Sequence, residues 1–458
     1  MAIDSPHQTF FTRQVQRLLD RIYGHSSVGD SLLDRATSYF ENEEFKASTE
    51  NLTENEERLH RLECTERHAS LSAICLEIIE LSEGDTFNDT NRKSAQLLGT
   101  IQLLSYTEGK KVPAHNEKSK SLYKAILALR LLDKLIIDGQ IVEPNILKYL
   151  DNVSGEDYLE FSLKDPEAAQ RFMTQIKIPV IMAALLQDIG NYHPKAQEII
   201  CGSDGKLSPF RTLELAQRKE LLQINYQQTI KYLTGAIGIP AFVGNTKAER
   251  DAFYAEEHEK QRFIQQLLKS SVNPKKSIGN VLKVPQIYTS IILSTKTSYN
   301  YKLLPQVFQV LNKNAELGAC SQGVVDTLYK ITGMFPQGFG VVYIPLGDFG
   351  EKGGCYEYAI VNGLYPEKPK QPICRMVTRK LAFMGFGHDV VIKENSNLYF
   401  SQTAKKLATL SKERLNEILE LLSSNAEERK QLDLLPRCWH AKEYFSVKTN
   451  QKLWNKVE

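Results

Sequence analysis

The sequence predicts a mainly α-helical protein with a small β unit near its C-terminal end. Apolar residues recur at helical spacing over long stretches, for example at Leu71, Ile74, Cys75 and Ile78. After Gly333 the pattern changes to short β-branched and aromatic runs that glycine and proline separate. A chain of 458 residues, of which 42% are hydrophobic, is long enough to bury a substantial core.

Four regions follow one another in this prediction. The first carries two apolar helical stripes with an acidic segment between them, and it ends at the polar stretch 107–118. Long helical patterns follow, among them the apolar run IPVIMAALL, which predicts a buried central helix. The predicted regions are an N-terminal helical region (1–110), a helical domain (111–335), a β unit (336–400) and a C-terminal helix with a tail (401–458).

Charge and cysteine content indicate the class of protein. The 57 basic and 55 acidic residues leave a net charge of +2, so we expect no general attraction to DNA. The seven cysteines are scattered and form no CxxC pair, as is typical of reduced thiols in a cytoplasm. No stretch approaches the roughly 20 apolar residues that a membrane span needs. We therefore expect a cytoplasmic protein without a membrane span.

The most informative segment is LLQDIG, residues 185–190. In HD-type phosphohydrolases, a histidine and an aspartate stand side by side at such a helix end and bind one divalent metal. Residues from about 176 to 365 resemble a divergent HD-GYP domain, the helical family that hydrolyses cyclic di-GMP. The resemblance covers the order and spacing of three segments, which begin LLQDIGNYHPK, QINYQQTIKYL and VLKVPQIYTSI. It implies an HD-type helical bundle.

The same resemblance implies that the metal site is degenerate. Gln187 stands where the family has the histidine of its His-Asp pair, and Asp188 remains. Asn191 replaces a lysine, Asn225 a histidine and Gln286 an aspartate, so all four replacements are amides. An amide is a poor substitute for imidazole on a transition metal. A hydrolase of this type needs two or three metals, so the resemblance implies no catalytic residue, no bound metal and no cofactor.

A degenerate pocket of this kind could still bind a nucleotide. Recognition of cyclic di-GMP needs arginine or lysine for phosphate and guanine edges, and aromatic rings for stacking. Residues of these types lie in the matching segments, although each one is also an ordinary choice for a solvated surface. The possible ligand-binding residues are Arg211, Arg218, Lys283, Lys296, Tyr299, Tyr301 and Lys302.

Three functional hypotheses follow. The first is a non-catalytic HD-GYP-like signalling protein that binds a nucleotide or a protein partner. The second is an active cyclic di-GMP phosphodiesterase with iron or manganese, held by Asp188 together with His193, His258 or Glu214. The third is a helical scaffold that shares only the fold. The family's early histidine corresponds either to His115 or to no residue, in which case His115 is a surface loop residue.

Overall fold

A computed structural model describes residues 7–24, 30–46, 54–151, 153–274, 277–345, 354–407, 410–422 and 434–455. The protein is mainly α-helical and has a small antiparallel sheet followed by helices, which confirms the predicted class. The first nine helices are α1 (Phe10–Tyr23), α2 (Leu32–Lys46), α3 (Glu54–Ser82), α4 (Phe87–Leu104), α5 (Val112–Ile137), α6 (Pro144–Leu150), α7 (Phe161–Lys164), α8 (Pro166–Phe172) and α9 (Ile178–Leu186).

The later helices precede and follow the sheet in the sequence. Before it come α10 (Pro194–Cys201), α11 (Leu215–Lys231), α12 (Lys247–Val272), α13 (Asn280–Ile292), α14 (Val307–Glu316) and α15 (Gln322–Thr332). After it come α16 (Ser401–Leu407), α17 (Lys412–Leu422) and α18 (Lys442–Ser446). The region 401–458, which is predicted as a C-terminal helix with a tail, therefore contains three α-helices in its described part, and residues 408–409, 423–433 and 456–458 lie outside that part.

Helix α5 is the centre of the bundle. It packs most extensively against α9 and α13, and also against α1, α4 and α15. Every residue of α9 from Pro179 to Leu186 is buried, as the apolar run predicts. The buried apolar residues form one connected core from Val15 to Trp454, which joins all four predicted regions. At its edge, Gln451 accepts a hydrogen bond from the Thr9 amide at 2.8 Å and thereby connects the two ends of the described chain.

One stretch of the described chain, Pro166–Tyr192, is long and apolar enough by composition to cross a membrane. Of its most apolar window, 72% is buried inside the protein. This is how the core helix of a soluble protein packs, because its apolar face is already covered by neighbouring helices. The stretch meets a criterion of mean hydropathy although polar residues such as Glu167, Arg171 and Lys177 interrupt its apolar run, and the fold uses it as core.

The sheet confirms the predicted antiparallel β unit. The strands are β1 (Gly340–Tyr343), β2 (Glu357–Val361), β3 (Ile373–Met376), β4 (Thr378–Arg379), β5 (Ala382–Phe383) and β6 (Asp389–Val391). Four of them pair in the order β1-β2-β3-β6, and a separate hairpin joins β4 to β5. Trp439 packs against β2, since its indole donates to the Ala359 carbonyl at 2.9 Å and its ring stacks on Tyr358 at 4.6 Å.

Buried charges on α5 form an ion-pair network in the core. Arg130 is fully buried and contacts Glu83, and its Nη2 lies 2.8 Å from Asp133 Oδ2. Lys177 Nζ lies 2.8 Å from Glu83 Oε2 and 3.2 Å from Asp133 Oδ1. The Tyr158 hydroxyl donates to Asp133 at 2.6 Å. Two cations and two carboxylates therefore neutralise each other, which is the condition for burying them.

We predict that protonation of Glu83 destabilises the protein in acid. Burial opposes its ionisation, but Arg130 and Lys177 outweigh burial and lower its pKa from 4.5 to about 2. Because the folded-state pKa is the lower one, this stabilisation is complete above about pH 4.5 and is lost as the pH falls toward 2. Glu83→Gln should cost about 3–5 kcal/mol in the free energy of unfolding at neutral pH.

Urea denaturation at several pH values checks this expectation. Wild type should lose unfolding free energy more steeply than Glu83→Gln below about pH 4.5. The control is Glu80→Gln, which changes an exposed carboxylate on α3 and should keep the wild-type slope. Parallel acid profiles for wild type and Glu83→Gln would show that this carboxylate is not the titrating group.

Candidate functional site

The LLQDIG turn lies where α9 ends, and its backbone is held closely against α11. The side-chain amide of Asn225 donates to the Gln187 backbone carbonyl at 3.0 Å, and the Gly190 backbone N–H donates to Thr229 Oγ1 at 3.1 Å. A Cβ at position 190 would lie only 2.2 Å from the Asn225 carbonyl oxygen, so the close approach requires glycine. The turn therefore presents Asp188 from a rigid position in the bundle.

Asp188 holds a lysine ammonium and an amide. Lys124 Nζ, on α5, lies 2.6 Å from Asp188 Oδ2, and Gln286 Nε2, on α13, donates to Oδ1 at 2.9 Å. Lys283 donates in turn to Gln286 Oε1 at 3.2 Å. The Lys124 side chain is 3% exposed and that of Asp188 is 43% exposed, so the carboxylate lies between the core and solvent. Both carboxylate oxygens thus already have a partner.

The charge of Lys124 governs the ionisation of Asp188. Burial is the largest single effect and raises the pKa of the Asp188 carboxyl, but the Lys124 ammonium, its hydrogen bond, Lys120 and Gln286 together lower it by more. The net effect is a pKa below the ordinary value. Asp188 is therefore a stable anion whose charge is already compensated, as a buried ammonium requires.

The other former metal-site positions are brought near the turn but not into one donor set. The Gln187 side chain is buried and donates to Ser271 Oγ on α12 at 3.3 Å. Its amide group therefore bonds to a different helix and not to Asp188. The backbone carbonyl of Asn191 accepts a hydrogen bond from the Gln197 side chain at 2.7 Å. Among the five positions, within the part of the chain that is described, only Asp188 and Gln286 are joined by a hydrogen bond between two side chains, whereas Asn225 reaches only the backbone carbonyl of Gln187.

Four of the seven possible ligand-binding residues are linked by electrostatic interactions, and one of them, Lys283, also interacts with Asp188. Burial lowers the pKa of Lys283, and the nearby cations Arg218 and Lys124 lower it further against the effect of Asp188. Burial also lowers the pKa of Lys296, with contributions from neighbouring cations. Lys296 donates to the Arg211 carbonyl at 2.9 Å. Together with Lys120 and Lys124, these four residues form a group that we call the cationic cluster: Lys120, Lys124, Arg211, Arg218, Lys283 and Lys296.

The remaining three residues do not belong to the cationic cluster. Tyr301 is 4% exposed, stacks on Phe339 at 4.9 Å and accepts a hydrogen bond from the Gly340 amide at 2.8 Å. It is core and cannot stack on a base. Lys302 is exposed, and its charge acts on Cys438 and His440 rather than on the cluster. Burial raises the pKa of the half-buried Tyr299 to about 12.

The alternative metal ligands are placed elsewhere. His193 is buried, caps α10 by accepting from the Lys195 amide at 3.2 Å, and packs edge-on against Phe40. Glu214 caps the start of α11, and His258 is exposed on α12. His115 is neither a loop residue nor close to the turn, since it lies nine residues before Lys124 on α5 and packs edge-on against Tyr106.

The donor set at Asp188 does not fit iron or manganese. A single carboxylate that already holds an ammonium and an amide cannot gather the several imidazoles and carboxylates that such ions need. Over the described ranges, no group of three or more His, Cys, Asp or Glu side chains is arranged to hold a metal. The arrangement can instead attract an anion, because the exposed cations Arg218 and Lys296 stand beside two half-buried lysines, Lys120 and Lys283.

The sequence patterns missed Lys120 and Lys124, although one signal was available. Lys124 interrupts the apolar run LYKAILALRLL, whose helix is buried almost throughout. A lysine on the buried face of an otherwise apolar helix needs a carboxylate partner. That partner must come from a distant segment, and here it is Asp188, 64 positions further along the chain.

Comparison with known proteins gives no relative. No family model matches the chain, and searches of curated proteins and of solved structures also find no match. The likeness to the HD-GYP family therefore stays a resemblance in the sequence pattern.

We predict that Lys124→Met raises the pKa of Asp188. Methionine keeps most of the lysine stem but removes the charge that lowers this pKa most. The pKa can be read from the carboxyl carbon shift of Asp188 during an NMR pH titration. Lys120→Met is the matched control on the same helix and should produce a smaller rise. An unchanged pKa in Lys124→Met would contradict the assigned ion pair.

Proposed function

We propose that this protein is a non-catalytic HD-GYP-like signalling protein that acts by binding, and that the cationic cluster receives a phosphate-bearing nucleotide such as cyclic di-GMP. The observation that carries the proposal is the Lys124–Asp188 ion pair. The Lys124 ammonium lies 2.6 Å from Asp188 Oδ2, and so its positive charge stands beside the carboxylate that would otherwise hold a metal. The charges of Arg218, Lys283 and Lys296 are then available to attract an anionic ligand.

Electrostatics supports an anionic ligand. Two carboxylates, Asp188 and Glu117, act electrostatically on Lys283 and Lys296. More cations than carboxylates act on these two lysines. Lys124 already compensates Asp188, and Lys120 lies 2.7 Å from Glu117. An excess of positive charge therefore remains at Arg218, Lys283 and Lys296. Arginine and lysine together are well suited to phosphate oxygens.

The proposal includes a protein partner and a cytoplasmic location. Helix α3 exposes Leu59 and Leu62, at 56% and 55%, three residues apart on one side of the helix. Such exposed leucines are the kind of side chain that a partner helix covers. None of the seven cysteines, all of which the structure describes, forms a disulfide, and this agrees with a reducing compartment.

Calorimetry with cyclic di-GMP tests the proposal. We expect binding heat that weakens as salt rises, because screening reduces the attraction between the cluster and phosphate. Removal of one charge-assisted hydrogen bond costs about 1.5–3 kcal/mol, so Arg218→Gln and Lys283→Gln should each weaken binding about tenfold or more.

The matched control is Lys302→Gln, which removes an exposed lysine that lies outside the cationic cluster. Its affinity for cyclic di-GMP should equal that of wild type. Absence of binding heat in wild type would contradict the nucleotide proposal and favour a scaffold. Equal losses in all three variants would show that the effect is general charge rather than this cluster.

A further inference from the structure

A cavity on another side of the bundle is built by two irregular helical turns. Within the described residues, π-helical backbone occurs at Met173–Lys177, between α8 and α9, and at Tyr232–Ile237, after α11. Both turns border one cavity of about 250 Å³ between α3, α9 and α12. None of its lining residues belongs to the cationic cluster.

The first π turn has a cause in the sequence. Pro179 has no N–H, so it cannot bond to the carbonyl of Gln175, and the ladder shifts so that the Ile178 amide bonds to the Met173 carbonyl. The second turn closes when the Gly238 amide donates to the Leu233 carbonyl at 3.0 Å. In the same turn, the Cys64 thiol donates to the Gly235 carbonyl at 3.3 Å. Single π turns occur frequently at functional sites.

The lining of the cavity is apolar inside and polar at one side. Pro179, Met182, Leu233, Ile237 and Ile264 are all buried, so the apolar surface lies within the cavity and is not spread over the outside of the protein. Of the apolar lining residues, only Leu76 is largely exposed. A concave apolar surface of this kind suits a small molecule better than the flat face of a protein partner.

The polar side carries little net charge. Its titratable residues are His68, Glu257 and Lys260, and the latter two form an ion pair. Burial lowers the pKa of His68, and the opposing effects of Glu257 and Lys260 leave it below the ordinary value, so the imidazole is neutral at pH 7. A neutral imidazole and the Ser72 hydroxyl, whose Oγ lies 3.4 Å from His68 Nδ1, can exchange hydrogen bonds with an uncharged polar group.

We propose that this cavity, bordered by the two π turns, α3 and α12, binds a compact, uncharged ligand with an apolar ring body and one hydrogen-bonding group. The size agrees with this class, because an apolar cavity of about 150 Å³ holds a benzene ring. A volume of about 250 Å³ therefore accommodates a two-ring molecule. The apolar body contacts Met182, Leu233 and Ile237, and the polar group meets His68 and Ser72.

Titration of methionine-methyl-labelled protein with 1-naphthol tests the proposal. Met182 lines this cavity, Met173 lines this cavity and a neighbouring one, and Met334 lines a third. We expect the Met182 and Met173 methyl signals to shift together at submillimolar ligand, whereas the Met334 signal stays in place. A shift of Met173 without Met182, a shift of Met334 alone, or no shift at all would overturn the proposal.

Two variants on α3 form a matched pair. Ser72→Phe places a ring in the cavity and should weaken 1-naphthol binding at least tenfold. Ala73→Phe adds the same ring at the next, exposed position and should leave binding unchanged. The anion 1-naphthoate should bind at least tenfold more weakly than 1-naphthol, because Lys260 is already paired with Glu257. Equal binding of the two ligands would contradict an uncharged ligand class.

Discussion

The fold depends on one constraint: the central helix α5 carries ionised side chains into the core, and each requires a counter-charge. Lys124 is satisfied by Asp188 at the end of α9. Arg130 is satisfied by Glu83, which follows α3, and by Asp133 on its own helix, whose carboxylate also holds Lys177. Removing one partner of such a pair leaves an uncompensated buried charge. These contacts therefore specify where α3 and α9 lie against α5, in addition to the apolar packing.

The constraint also explains the chemistry of the LLQDIG turn. The resemblance to HD-type enzymes implies amides in place of metal ligands, and it leaves open what would neutralise the remaining aspartate. In this structure, the ammonium of Lys124 and the amide of Gln286 occupy its two oxygens. Gln187, at the position of the missing histidine, bonds to Ser271 on a different helix. The surrounding cations then favour an anion over a metal.

Much of the fold follows from sequence periodicity, but the site does so only in part. The buried helix α9, the glycine-separated strands and the mainly α class are local patterns that packing preserves. Residue type alone is enough to propose Arg211, Arg218, Lys283 and Lys296 as ligand-binding residues. The same criterion also selects Tyr301, which is buried in the core. Lys124 and the π turns depend on contacts between distant segments, and no periodicity of one segment contains that information.

The most direct test of the account is a crystal structure of the protein soaked in manganese(II), with anomalous data collected at the manganese edge. The account predicts that Lys124 Nζ stays within hydrogen-bond distance of Asp188 Oδ2, with no anomalous peak at this carboxylate. A manganese peak in coordination contact with Asp188, with Lys124 displaced from it, would contradict the account and restore the metal-dependent alternative.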